Sequence, residues 1–210
     1  MRCVLRCAVV PLVLGFIHGA AAANGPPGPL KDWPCAAPFA NRLTPAGVWP
    51  ADLPAPLPAE GEWAADPQAR QLVEFIADPA NSPRSGARHI EEFVKDNGPL
   101  APALSMLVLT GLVERIDKIR DFLLEGIHTQ IVRSHILAQA VEENNASLAR
   151  AIAEPSADPA RQPDAIRRAR FSNLRSLDDA GDGAEMLCHR YSYDEGKAKA
   201  LAAVLQQNTR

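Results

Sequence analysis

One segment, from Ala101 to Glu154, keeps a helical repeat throughout and contains no proline after Pro102. Its apolar side chains fall within about 60° of one line on a helical wheel. These residues are Leu109, Leu112, Ile116, Ile119, Leu123, Ile127, Ile131, Ala138, Val141, Leu148 and Ile152. The pattern predicts a helix from about Pro102 to Glu154, straight or with one bend near Gly126, roughly 75 Å long. A repeat near 3.6 residues, not 3.5, is typical of packing in a globular bundle.

Two shorter helices are predicted before this segment. Asp66-Pro67 combines an N-cap residue with proline at the first helical position, and Asp78-Pro79 ends the helix. Its inward face is Leu72, Val73, Phe75 and Ile76. The second helix spans roughly Ser85 to Asn97, with Gly98 as its C-terminal cap. Its inward residues are Ile90, Phe93 and Val94.

Two further helical pieces are predicted after it. A fourth helix starts at Asp164 and ends at Gly181 and Gly183, with an apolar face of Ile166, Phe171, Leu174 and Leu177. The last stretch, Ala184 to Gln206, is expected to break at Gly196. Since no region alternates apolar and polar residues over a strand length, we predict an all-α fold. In this predicted fold, four or five shorter helices pack against a long central helix.

Residues 1–23 have the composition of a signal peptide. Arg2 and Arg6 form a basic start, Ala8 to Ile17 is apolar, and the alanines at 20–23 offer cleavage sites. The alternative, an uncleaved anchor, is less favoured because the apolar run is shorter than the ~20 residues that cross a bilayer. We expect a periplasmic or secreted protein with no integral membrane segment after cleavage. Its divisions would be the signal, 1–23, a strap, 24–60, and a helical domain, 61–210.

The cysteines indicate one structural disulfide. Cys3 and Cys7 would leave with the signal, so the mature chain would keep only Cys35 and Cys188. Two cysteines in an oxidising compartment most simply pair with each other. The chain has no Cys-x-x-Cys motif, which removes support for redox-motif and zinc-ribbon chemistry.

Residues 24–60 are dense in proline, which excludes both helix and central strand in our interpretation. A disordered linker would be the ordinary interpretation. Trp33, Trp49 and Leu53 lie among the prolines, however, and a solvated tether has little use for such side chains. We therefore expect an extended strap that is docked on the helices.

The charge and the motifs exclude several kinds of chemistry. The chain has 22 basic and 25 acidic residues; loss of Arg2 and Arg6 leaves 20 against 25, a formal charge of −5. Such a surface is unsuited to nucleic acid. Glu125 and His128 have the Glu-x-x-His spacing of di-metal helices, but no second such step exists. We predict no catalytic, metal or cofactor-binding residues, so that no cofactor is expected.

Three apolar residues, Phe122, Val132 and Ile136, lie outside the main stripe of the long helix. They are either exposed or covered by a second packing layer. Exposure would make Val132 and Ile136 a possible surface for a protein partner.

The chain resembles a group of uncharacterised helical proteins from the periplasm of proteobacteria. The resemblance is carried by Trp33-Pro34-Cys35 after the signal, Trp49 and Trp63, Glu125-Gly126-Ile127 within a long helix, and Cys188. It implies the compartment and a helical fold, but no activity. We expect a non-catalytic accessory protein that acts through helix faces on another protein. The alternative is a small-ligand or metal-binding protein with a pocket between strap and helices, near Trp33, Trp49 and His189.

Overall fold

The structure, a computed structural model, describes residues 32–154 and 158–210. The predicted signal segment, 1–23, lies outside the described residues. Each of the five α-helices in the described part of the chain begins with a proline, whose fixed φ suits the first helical position. They are α1 (Pro45–Val48), α2 (Pro67–Ile76), α3 (Pro83–Asn97), α4 (Pro102–Ala153) and α5 (Pro163–Gln207). Two short 3₁₀ turns lie at Glu62–Ala65 and Pro159–Arg161.

The boundaries of α2 and α3 agree with the cap residues and prolines from which they were predicted. Asp66 accepts a hydrogen bond from the Ala69 backbone N–H and so caps α2. Ser82 caps α3 in the same way, because it accepts a hydrogen bond from the Ser85 backbone N–H. The helix begins at Pro83, two residues before its predicted start. Gly98 ends α3 at a φ of 82°, a conformation that glycine adopts without strain.

The long helix is confirmed. α4 runs for 52 residues without a break, about 78 Å at 1.5 Å per residue. α5 runs antiparallel to α4. Gly126 of α4 lies against Leu187 of α5, and Gln130, one turn later on α4, lies against Gly183, one turn earlier on α5.

The predicted breaks in the last third of the chain are wrong. α5 continues for 45 residues through Gly181, Gly183 and Gly196. A glycine costs a helix only about 1 kcal/mol relative to alanine, which packing along a long partner helix offsets. The fold is therefore all-α around two long helices rather than one.

The main core lies at one end of this helix pair. There α2, α3, the start of α4 and the end of α5 meet, and their central side chains have no solvent exposure; these include Leu72, Ile76, Ile90, Leu109, Leu112, Leu201 and Leu205. A bridge between Leu100 and Thr209 joins the start of α4 to the end of the chain. The core is thus assembled from both ends of the helical region.

The described part of the strap, 32–60, is docked on the helices. Val48 and Trp49 are buried in the main core, and Leu53 packs against it. The expectation that the strap excludes helix is wrong at one turn: α1 starts at Pro45, where the missing N–H costs nothing, and Thr44 caps it.

Fewer residues of α4 are buried at greater distances from the main core. Beyond Ile127, Val141 and Ala151 are the buried residues of α4. Ala138, Ile152 and Phe171 were predicted to face inward but are exposed, Phe171 by 69%. A helical pair covers only the seam between its two members, so the rest of a wide apolar face stays in contact with solvent. We call residues 128–153 of α4 and 163–183 of α5 the helical arm.

Candidate functional site

The disulfide between Cys35 and Cys188 is present, as predicted. The S–S distance is 2.03 Å, the Cα atoms are 5.2 Å apart, and the two cysteines are separated by 153 residues. Both cysteines are buried in a second, smaller apolar cluster with Leu124, Ile127 and Tyr191. The bond therefore fastens the start of the described strap to the middle of the helix pair.

A buried polar cluster holds the strap a few residues further on. Arg120 has no solvent exposure, and its guanidinium lies 4.4 Å from the centre of the Tyr191 ring. The Arg120 Nη2 donates to the Ala40 carbonyl oxygen at 3.2 Å, and Nη1 to Asp117 Oδ1 at 3.2 Å. The Tyr191 hydroxyl donates to the same Ala40 oxygen at 2.9 Å and accepts from the Ala40 N–H at 3.0 Å. One strap peptide is thus bound by residues of both long helices.

Asp117 completes this cluster. Its Oδ1 accepts a hydrogen bond from the backbone N–H of Leu43 at 2.9 Å. Burial of the carboxylate raises its pKa above the ordinary value of 3.8, because the loss of hydration outweighs the Leu43 hydrogen bond and the charge of Arg120. The role of this carboxylate is to hold the strap.

A cavity of about 580 Å³ lies beside the disulfide, between the strap and the two long helices. Its titratable lining residues are Asp32, His135, Glu185 and His189, with Ile131 and Ser134 on the wall. His135 Nε2 is 3.6 Å from Asp32 Oδ2, and His189 Nε2 is 3.5 Å from Glu185 Oε1. All four of these side chains are largely exposed, so the cavity is an open groove with a polar rim.

The structure brings together part of the predicted pocket. His189 lines the cavity, and Trp33 packs against the neighbouring apolar cluster through the Tyr191 ring, 5.4 Å between centroids. Trp49, in contrast, is buried in the main core. The two tryptophans are therefore not parts of one pocket, because the strap runs along the helices and delivers them to different clusters.

Glu125 and His128 are both exposed on α4. Within residues 32–154 and 158–210, no group of three or more His, Cys, Asp or Glu side chains is arranged to hold a metal ion.

The outer face of α4 carries the side chains that the wheel placed away from the main stripe. Phe122, Val132 and Ile136 are exposed by 77%, 44% and 63%. They therefore face solvent and are not covered by a second packing layer, the other possibility that the sequence left open. Three polar residues are exposed between them: Glu125, Thr129 and Arg133. We call these six residues the outer stripe.

Comparisons with protein-family models, with curated proteins and with solved structures found no match for this chain. Among the described residues, no helix combines the length and apolar character needed to cross a membrane.

Sequence reasoning missed the buried charged residues. Lys197 is 2% exposed, and its Nζ donates to the carbonyl oxygens of Asp78 at 2.6 Å and Asn81 at 2.8 Å, which binds the turn after α2 to α5. Burial lowers the pKa of Lys197 despite the opposite charge of Asp194. A signal was present: Lys197 lies about 40° from Leu201 on the wheel of α5, and Arg120 about 40° from Ile116 on α4, both on apolar faces.

Proposed function

We propose that this chain is an exported, non-catalytic accessory protein that binds another protein chain through the outer face of α4. The observation that supports this proposal is the exposure of Phe122, Val132 and Ile136 on one side of a single helix. Large apolar side chains that cluster on an otherwise polar surface commonly mark an interaction site.

The buried charged groups support a non-catalytic role. Arg120 binds the strap carbonyl of Ala40, and Lys197 binds the turn after α2. Asp194 is also buried and accepts a hydrogen bond from Arg190 at 3.1 Å. Arg120 and Lys197 thus join segments of the fold, and Asp194 pairs with a neighbour on its own helix. All three tasks are structural.

Export is supported by the disulfide, since such bonds persist in oxidising compartments. It agrees with the signal-like composition of residues 1–23 and with the periplasmic resemblance. Sequencing the N-terminus of the protein recovered from the periplasm or medium would test it. Cleavage after one of the alanines at 20–23 is expected, and a cytoplasmic protein with both thiols free would contradict export.

Photo-crosslinking in the native host tests the binding role. A photoreactive phenylalanine analogue replaces Ile136 on the outer stripe or, as a control, Glu91, which is exposed on α3. We expect a covalent adduct with a protein chain from position 136 and none from 91. Equal labelling at both positions, or no adduct at either, would overturn the proposal.

A substitution that adds charge complements this test. Val132→Glu together with Ile136→Glu should leave the melting temperature almost unchanged, because both side chains already face solvent. The same variant should lose the adduct when the photoreactive group is placed at Phe122. A loss of several kcal/mol of stability would show that these residues are core and would remove the motivation for the proposal.

A second candidate function is supported by the cavity beside the disulfide. Its mixed apolar and polar lining suits a small organic ligand. Native mass spectrometry of protein isolated without refolding tests this, with Ser134→Trp filling the cavity and Glu91→Trp as the control. A bound mass that is present in the wild type and the control but absent from Ser134→Trp would support the pocket; an empty wild type would contradict it.

A further inference from the structure

We propose that the outer stripe of α4 binds the same stripe of a second copy of this chain, with the two α4 helices antiparallel and Thr129 near the two-fold axis. This inference rests on the proposed function and names its partner. The occupant is argued from the order of apolar and charged residues along the stripe.

Two apolar members of the stripe, Phe122 and Ile136, are arranged evenly about Thr129. Phe122 lies seven residues before it and Ile136 seven residues after it, so that these three residues keep to one side of the helix, with Val132 between Thr129 and Ile136. They span about 21 Å at 1.5 Å per residue. In an antiparallel pair centred on Thr129, Phe122 of one copy lies at the level of Ile136 of the other. Each exposed apolar end therefore meets another.

Two pairs of charged residues on this face have the complementary order, while Lys118, which is also exposed there, lies level with Ala140. Glu125 and Arg133 lie four residues before and after Thr129, and Arg115 and Glu143 lie fourteen before and after it; all four are exposed. Antiparallel pairing puts Glu125 level with Arg133 of the second copy, and Arg115 level with Glu143. A parallel pair would instead put like charges side by side. The stripe is thus complementary to itself in one direction only.

A two-fold dimer is also the assembly that such a surface forms most simply, because one patch serves as both halves of the interface. The stripe and its flanking charges supply fewer than the 20–30 residues per side of a standard interface. We therefore expect a reversible dimer with a dissociation constant on the order of micromolar.

Reversing the charges tests this pairing in the purified, oxidised protein. Sedimentation equilibrium is measured from about 1 to 200 µM for the wild type, Glu125→Arg, Arg133→Glu and an equimolar mixture of the two variants. The wild type should dimerise, and each single variant should show a dissociation constant at least tenfold higher. In the mixture, the heterodimer regains two Glu–Arg pairs, so its dissociation constant should return to near the wild-type value. Glu91→Arg on α3 is the matched control and should change nothing.

We expect both variants to fold like the wild type, since Glu125 and Arg133 are exposed and their replacement leaves the core intact. A wild type that stays monomeric to about 200 µM would overturn the inference. A dimer that ignores both single variants, or a mixture that fails to associate, would overturn the antiparallel pairing. An adduct from position 136 to an unrelated protein, with a monomeric wild type, would refute the second copy while leaving the proposed binding role supported.

Discussion

The Arg120 guanidinium stacks on the Tyr191 ring at 4.4 Å, and both side chains donate hydrogen bonds to the Ala40 carbonyl oxygen. One residue from α4 and one from α5 therefore converge on a single peptide of the strap. Such buried contacts stabilise a fold only while every polar partner is present, because an unpaired buried group loses its hydration without compensation.

Tyr191→Phe should destabilise the protein by about 1–3 kcal/mol. The change keeps the ring beneath Arg120 but removes the hydroxyl that pairs with both the N–H and the carbonyl of Ala40. Tyr193→Phe is the control, because that side chain is exposed. Urea unfolding measures the difference, and equal midpoints for the two variants would contradict a role for the hydroxyl in stability.

Asp117→Asn should change how stability depends on pH. The folded pKa of Asp117 lies above the unfolded value of 3.8, so the folded state binds more protons between these two values. The free energy of unfolding of the wild type, minus that of the variant, should be highest below pH 3.8. It should fall as pH rises through the folded pKa and stay level above it.

Urea titrations of both proteins at a series of pH values measure this difference. The amide keeps an acceptor for the Leu43 N–H and for Arg120, so the comparison isolates the charge. A difference that rises with pH would show that pairing with Arg120 outweighs burial.

Replacing Cys35 and Cys188 by serine should cost up to about 5 kcal/mol, the loop-entropy value for a closure of this length, with 2–5 kcal/mol typical of measured native disulfides. The unfolded chain gains conformational freedom when Cys35 and Cys188 are no longer joined. Urea unfolding of the double variant and of the reduced wild type should give similar losses. A variant as stable as the oxidised wild type would show that the other strap contacts suffice.

Trp49→Ala should destabilise the protein by roughly 3–5 kcal/mol, since it empties a site in the main core. Leu57→Ala is the matched control from the same strap, because Leu57 is exposed; it should change stability by less than about 0.5 kcal/mol. Limited proteolysis should also cut the strap of Trp49→Ala faster between Leu43 and Leu57. Rapid cutting there in the oxidised wild type would show a free tether.

Two helical glycines should respond in opposite directions to alanine. A Cβ at Gly196 meets no atom within 4 Å, so Gly196→Ala should gain about 0.5–1 kcal/mol from helix propensity. A Cβ at Gly111 would lie 2.7 Å from the Trp63 ring and 2.8 Å from a Val73 methyl carbon, so Gly111→Ala should lose stability. Thermal unfolding of both variants measures the change in stability relative to the wild type. A change in the same direction for both variants would contradict the explanation from packing.

The sequence predicted α2, α3 and α4 because their signals are local: caps, prolines and a repeat that each segment carries by itself. The Cys35–Cys188 bond followed because no other cysteine would remain after signal cleavage. The continuity of α5 was missed because it depends on α4, whose Gln130 packs against Gly183 over a long antiparallel contact.

Of the candidate sites, the wheel placed Val132 and Ile136 away from the main stripe, and their exposure required the structure. Phe171 was predicted to face inward and is exposed, because the wheel shows which residues share a face but not whether a neighbour covers that face. The position of Arg120 on the apolar side was visible, but its partners come from the strap and from α5, which are distant in the sequence.

The separation of 153 positions between the cysteines also imposes an order on biosynthesis. At about 5–20 residues per second, Cys188 leaves the ribosome roughly 8–30 s after Cys35. The early thiol must wait through that interval without its partner, because the bond can form only after α4 and more than half of α5 have been made. Formation of the bond therefore reports that synthesis has passed α4 and reached Cys188 in α5.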